Sequence, residues 1–182
     1  HRDLHSFPTR RSSDLEFENG GATDFRLNNN SFELVNTVKV SRKFDQQGYD
    51  DPLWSGGKNS MPLIRLPEMY YILAECATDP TEAADWLNTV RANRGIPADV
   101  DLVGDDAFDQ LDSRPGCDNT QTKRINEIMK EYNKEYYGEG QLFYFYKRLN
   151  YKVFTGCPAG GMLPQYYTPA IPDNEHIFGN NN

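Results

Sequence analysis

Residues 61–96 read MPLIRLPEMYYILAECATDPTEAADWLNTVRANRGI and carry two apolar periodicities back to back. In the first, Leu66, Met69, Tyr70, Leu73, Cys76 and Ala77 recur at i, i+3, i+4, i+7, i+10 and i+11, one face of an α-helix over Pro67–Ala77. Pro67 suits its first turn, where a missing N–H costs nothing. Tyr71, Ile72 and Ala74 widen the arc, so burial on most sides is expected, with Cys76 a small buried apolar residue. The chain then stops and restarts. Asp79 is placed to cap, Pro80 fits a first turn, and Glu82 completes a spacing like a capping box. The second helix runs to about Asn93, with Ala83, Leu87 and Val90 inward and Gly95 as its stop. Only a few residues separate the two, which forces antiparallel packing. Small Ala74, Ala83 and Ala84 permit close approach.

Working outward, the pair looks like one tetratricopeptide-type unit, which rarely folds alone. A second clean copy is not visible. Downstream, residues 120–137 place Ile125, Ile128, Met129, Tyr132 and Tyr136 on one helical face, and Gly138 and Gly140 break it. QLFYFYKRL, residues 141–149, aligns Leu142, Tyr146 and Leu149, with Lys147 and Arg148 near the C-terminus, where the helix dipole favours cations. Upstream, the alternation Phe32, Leu34 and Val38, Val40 reads as short strands or extended loop. Residues 45–62, 98–118 and those after 150 are loop, rich in Gly, Asp, Pro and Asn. The expected fold class is mainly α: tetratricopeptide-like helix pairs with long irregular loops and at most short strands.

The 182 residues carry a net charge of −8, which repels phosphate backbones and argues against a nucleic-acid partner. No run of about 18 apolar residues is present to span a membrane. The opening letters HRDL spell the start of a protein-kinase catalytic loop, but Pro8 stands where that loop needs a metal-holding Asn. HSFPTRRSSDL resembles the translation of a sequencing adapter, so residues 1–15 are expected to be a non-native, disordered leader. Glu68 and Glu75, seven apart on one helix, lie about 10 Å apart by helix rise. That slightly exceeds the roughly 5 to 9.5 Å a glycosidase pair needs, and Arg65 at i−3 favours an ion pair with Glu68. Asp99, Asp101, Asp105 and Asp106 half resemble a calcium loop without its fixed Gly and Glu; a solvated acidic loop is the expectation. His176 stands without the clustered ligands of a zinc site. Cys117 and Cys157, in Gly/Pro-rich loops, are able to pair only in an oxidising compartment. Neither cofactor nor metal is expected.

For ligand capture, GYDDPLWSGGKN, residues 48–59, is the best candidate. Tyr49 and Trp54 offer stacking planes, and Lys58 and Asn59 offer hydrogen-bond groups; the alternative is that Trp54 anchors the loop to the core. Tyr166 and Tyr167 are weaker candidates, because docking of the tail accounts for them.

Three stretches in order resemble the SusD/RagB family of outer-membrane nutrient-binding lipoproteins. MPLIRLPEMYYILAEC followed by ADWLNTVRANRGI is similar to that family's P-L-I-R-x-x-E-x-x-L-x-x-A-E and A-x-x-x-L-N-x-V-R-x-R-x-G. EIMKEYNKEYYGEGQLFYFYKRL is similar to its helix with E-G-x-x-x-F-x-x-x-R, and YYTPAIPDNEHIFGNN to its P-I-P-x-x-E ending. The resemblance implies a helical, non-enzymatic surface protein of Bacteroidetes-type bacteria, held to the outer membrane by an N-terminal lipidated Cys. Its partner would be a TonB-dependent (SusC-like) transporter, to which it delivers a glycan or peptide ligand. Residues 16–182 are then expected to be the C-terminal part of such a helical domain, without the anchor. The alternatives are a tetratricopeptide-type scaffold binding peptides and a glycoside hydrolase, which would need a second carboxylate converging on Glu68 or Glu75.

Overall fold

The computed structural model describes residues 23–27, 32–35, 38–41, 63–154 and 157–168. Among them are four α-helices and one strand pair. Strands β1 (Phe32–Val35) and β2 (Val38–Ser41) pair antiparallel, Phe32 opposite Ser41 and Val35 opposite Val38. The helices are α1 (Leu66–Cys76), α2 (Pro80–Asn93), α3 (Lys123–Glu135) and α4 (Gln141–Leu149). This is the mainly helical architecture with short strands that the periodicity implies.

α1 and α2 form the expected hairpin. The Asp79 carboxylate accepts the Thr81 N–H at 2.8 Å, capping α2. Glu82 does not return to the cap; its carboxylate accepts from the Trp86 indole at 3.3 Å. Ala74, Ala83 and Ala84 are fully buried between the helices, and the Tyr70 and Trp86 rings lie 5.7 Å apart. Gly95 ends α2 with φ +83, and a Cβ there would stand 2.5 Å from the Thr23 carbonyl oxygen.

The inward face of α1 differs from the one its sequence suggests. Tyr71 and Ala74 point into the core, whereas Leu66, Met69, Ile72 and Leu73 are exposed, and so is Cys76. The helix is apolar nearly all round, so periodicity alone cannot tell which arc meets α3. The large Tyr71 ring decides it, lying 4.9 Å from Tyr132 and 6.4 Å from Tyr136.

α3 is the central element. Thr122 caps it by accepting the Ile125 N–H at 3.3 Å. Ile128, Met129, Tyr132 and Tyr136 join the core, as their spacing predicts, but Asn126, Glu127, Glu131, Asn133, Lys134 and Glu135 are buried as well. Arg124 reaches α1, donating to the Ala77 carbonyl at 2.6 Å while pairing with Asp109 at 2.5 Å. It thereby satisfies carbonyls that the end of α1 leaves without helical partners. The left-handed Gly138 and Gly140 turn the chain into α4, whose Phe145 stacks on Tyr132 at 4.7 Å. Tyr146 stacks on Phe154 at 4.2 Å. The loop after α2 is tied back onto it, with Asn88 donating to the Leu102 carbonyl and accepting the Leu102 N–H, both at 2.9 Å.

Candidate functional site

Tyr49, Trp54, Lys58 and Asn59 lie outside the described residues. The next described stretch of chain, from Leu63 to Arg65, is firmly held. The Leu63 carbonyl accepts from the Gln141 amide at 3.3 Å. Arg65 donates to the Glu135 carboxylate, the Glu135 carbonyl and the Glu139 carboxylate, each at 2.7 Å, and its guanidinium covers the Tyr136 ring at 4.5 Å. Thus Arg65 locks the start of α1 to the corner between α3 and α4, and the ion pair with Glu68 expected from i−3 spacing gives way to Glu135 and Glu139. A fork of fixed donors suits this three-point attachment better than an ammonium would.

Beside this lock lies a buried charge cluster. Arg26 donates to Asp24 at 2.7 and 2.9 Å and to Glu131 at 2.8 Å. Glu131 also meets Arg91 at 3.2 Å and Lys134 at 2.6 Å. Glu135 meets Arg94 at 2.8 Å. Burial alone would raise the Glu131 carboxyl, but Lys134, Arg26 and Arg91 outweigh it and hold it down at about 2. Glu135 is likewise lowered, burial opposing and the Arg94 bond prevailing. Sequence reasoning missed this cluster, whose arginines come from distant segments. Its chemistry is that of a fastening: every carboxylate already has cations at hydrogen-bond distance, and none is left free to move a proton.

A second polar centre organises the turn before α3. The Asp118 carboxylate accepts from the Thr120 N–H at 2.9 Å, from the Thr120 hydroxyl at 2.7 Å, from the Val153 N–H at 3.2 Å and from the Lys152 N–H. Asn126 donates to Asp112 and to the Asp118 carbonyl, each at 3.0 Å, and accepts from the Tyr151 hydroxyl. Cys117 and Cys157 are both free thiols, and burial pushes the Cys117 thiol up.

The surface carries the remaining sequence candidates. Asp99, Asp101, Asp105 and Asp106 are exposed on a loop of two short 3-10 turns, Ala98–Val100 and Asp106–Asp109. Among the described residues there is no group of three or more His, Cys, Asp or Glu placed to hold a metal ion. Glu75 binds Arg148 through both oxygens at 2.5 and 2.7 Å, so the Glu68–Glu75 pair is not a convergent acid and base. His176 falls outside the described residues. Tyr167 is buried and donates to the Tyr151 carbonyl at 2.6 Å, the docking role expected of it, whereas Tyr166 beside it is exposed. No helix among the described residues is long and apolar enough to cross a membrane.

Among the described residues the helices form a stack fastened by buried ion pairs. Family comparison gives it a place: the SusD family model matches residues 9–177, and the chain belongs to that family. Its members are surface proteins that bind glycans or other nutrients for uptake, rather than enzymes. Comparison with curated proteins and with solved structures gave no match.

Proposed function

We propose that this chain captures an oligosaccharide at the cell surface and presents it to a TonB-dependent transporter in the outer membrane, as part of a larger helical lipoprotein. Family membership over residues 9–177 is the observation that carries this reading. Capture falls to residues 48–59, where Tyr49 and Trp54 stack on the sugar face and Lys58 and Asn59 bind its hydroxyls. The described residues support this role by rigidity. Leu63 and Arg65, downstream of the segment, are bonded to the α3–α4 corner. The exposed aliphatic face of α1 supports the larger body. Leu66, Met69, Ile72 and Leu73 are the residue types that helix-on-helix packing uses.

Isothermal titration of the chain with maltoheptaose, xylohexaose and a tryptic peptide mixture tests the reading. The expected result is binding of at least one oligosaccharide that Trp54→Ala weakens by tenfold or more. Binding of peptides alone would redirect the ligand class and favour the scaffold alternative. Oligosaccharide binding indifferent to both Trp54→Ala and Tyr49→Ala would overturn the assignment of the segment.

A further inference from the structure

Residues 23–27 and 63–65 belong to no helix or strand, yet both stretches are tied to α3. None of them joins the hydrophobic core, and the side chains of Phe25, Leu63 and Ile64 are exposed. Apolar burial therefore does little to hold either stretch, and polar links take its place.

Those links converge. Glu131 and Glu135 stand four apart on α3 and share a face. Arg26 donates to Glu131 at 2.8 Å and lies 3.7 Å from Glu135. Arg65 meets the same Glu135 carboxylate at 2.7 Å. Arg94, which caps the end of α2, binds it through two nitrogens at 2.8 and 2.9 Å, and the Arg94 carbonyl accepts the Phe25 N–H at 2.8 Å. Arg26 also has Asp24, and Arg65 also has Glu139, but Glu135 is a carboxylate common to all three arginines. Through it, residues 23–27 and 63–65 are joined to the helical body at one point. The core of that body is of another kind. Tyr71, Leu87, Ile128 and Tyr132 pack α1, α2 and α3 together by apolar contact.

We infer that Glu135 is the clasp of a local conformational unit: when its charge is lost, residues 23–27 and 63–65 both open from the helical body while the helices stay folded. The inference is independent of the glycan reading. It concerns how the two ends of residues 28–62 are held, whatever that stretch binds.

Limited trypsin digestion of the full chain, with the cuts assigned by mass spectrometry, tests it. Trypsin cuts after Arg26 and after Arg65 only when each guanidinium leaves its partners and the backbone around it opens. Where opening is fast relative to cutting, the cutting rate tracks the population of the open form. Arg91–Ala92 in α2 and Arg124–Ile125 in α3 are the controls, since both arginines are buried in helices. In the unmodified chain, Arg26–Leu27 and Arg65–Leu66 should become cleavable at lower urea than the two controls. Glu135→Gln should speed both cuts roughly tenfold or more, the scale of a lost hydrogen bond to a charged group, and leave the controls within about twofold. Glu139→Gln takes a partner from Arg65 and none from Arg26, so it should speed the cut after Arg65 alone. Equal acceleration at all four bonds in Glu135→Gln, or cleavage of all four at one urea concentration in the unmodified chain, would make the clasp part of the core and overturn the inference. Faster cutting after Arg65 alone in Glu135→Gln would overturn it as well, because residues 23–27 would then be held without Glu135.

Discussion

Glu131 shows how much of this molecule is decided by single side chains. Its carboxylate is 1% exposed, with Arg26, Arg91 and Lys134 within 3.2 Å. Removing the anion alone would take a buried carboxylate from Arg26, Arg91 and Lys134 at once. Glu131→Gln should therefore cost about 3–5 kcal/mol, the range for breaking a buried ion pair by losing one partner, read as a lower urea midpoint. The same residue sets an acid limit. Its folded pKa of about 2 lies below the ordinary 4.5. A depressed carboxylate contributes stability that is fully present above about pH 4.5 and is lost as the pH falls through 2. Urea midpoints measured from pH 6 to pH 2 should fall steeply toward acid for the unmodified chain and less steeply for Glu131→Gln; equal slopes would show that other carboxylates set the limit. None of this was legible in the sequence. Glu131 stands 105 residues from Arg26 and 40 from Arg91, and a polar residue on an amphipathic helix looks solvated until its partners arrive.

Between residues and the whole, the helices divide into what local chemistry fixes and what packing fixes. Boundaries are local. Asp79, Pro80 and Gly95 place the ends of α2 at Pro80 and Asn93, where the structure has them. Gly138 and Gly140 separate α3 from α4 in the same way. Faces are not local. On α2 the polar residues leave one arc for Ala83, Leu87 and Val90, and that arc is buried. On α1 Leu, Ile, Met and Tyr surround the axis, and the choice falls to the fit of Tyr71 against Tyr132. The candidate site divides likewise. The candidate residues of 48–59 stand out by type alone, whereas the Arg65 lock depends on Glu135 and Glu139, which are 70 and 74 residues away. Gly95 tests the local part. At φ +83, and with a Cβ 2.5 Å from the Thr23 carbonyl oxygen, Gly95→Ala should cost about 1–3 kcal/mol for the backbone strain and loosen the Thr23–Leu27 segment. Faster hydrogen exchange at the Phe25 amide, which donates to the Arg94 carbonyl at 2.8 Å, would report it; unchanged exchange would mean that Arg26 alone holds the segment.

At the scale of the whole molecule, one question is which apolar surfaces serve this chain's own stability. Leu87 is fully buried at the centre of the hairpin, while Leu73, on the helix packed beside it, is 44% exposed and faces away from the core. The two leucines therefore make opposite predictions. Leu87→Ala removes packed methyl groups and leaves a cavity, at a cost of about 2–5 kcal/mol. Leu73→Lys exchanges an exposed apolar group for a soluble one and should move stability by no more than about 0.5 kcal/mol. It should also lower the affinity of the chain for an apolar dye, because the patch it interrupts runs along Leu66, Met69, Ile72 and Leu73. Thermal melts and dye titration of both variants check the pair. If Leu73→Lys destabilises as strongly as Leu87→Ala, the outer face of α1 is core within this chain, and it no longer argues for a larger helical body stacked against the hairpin.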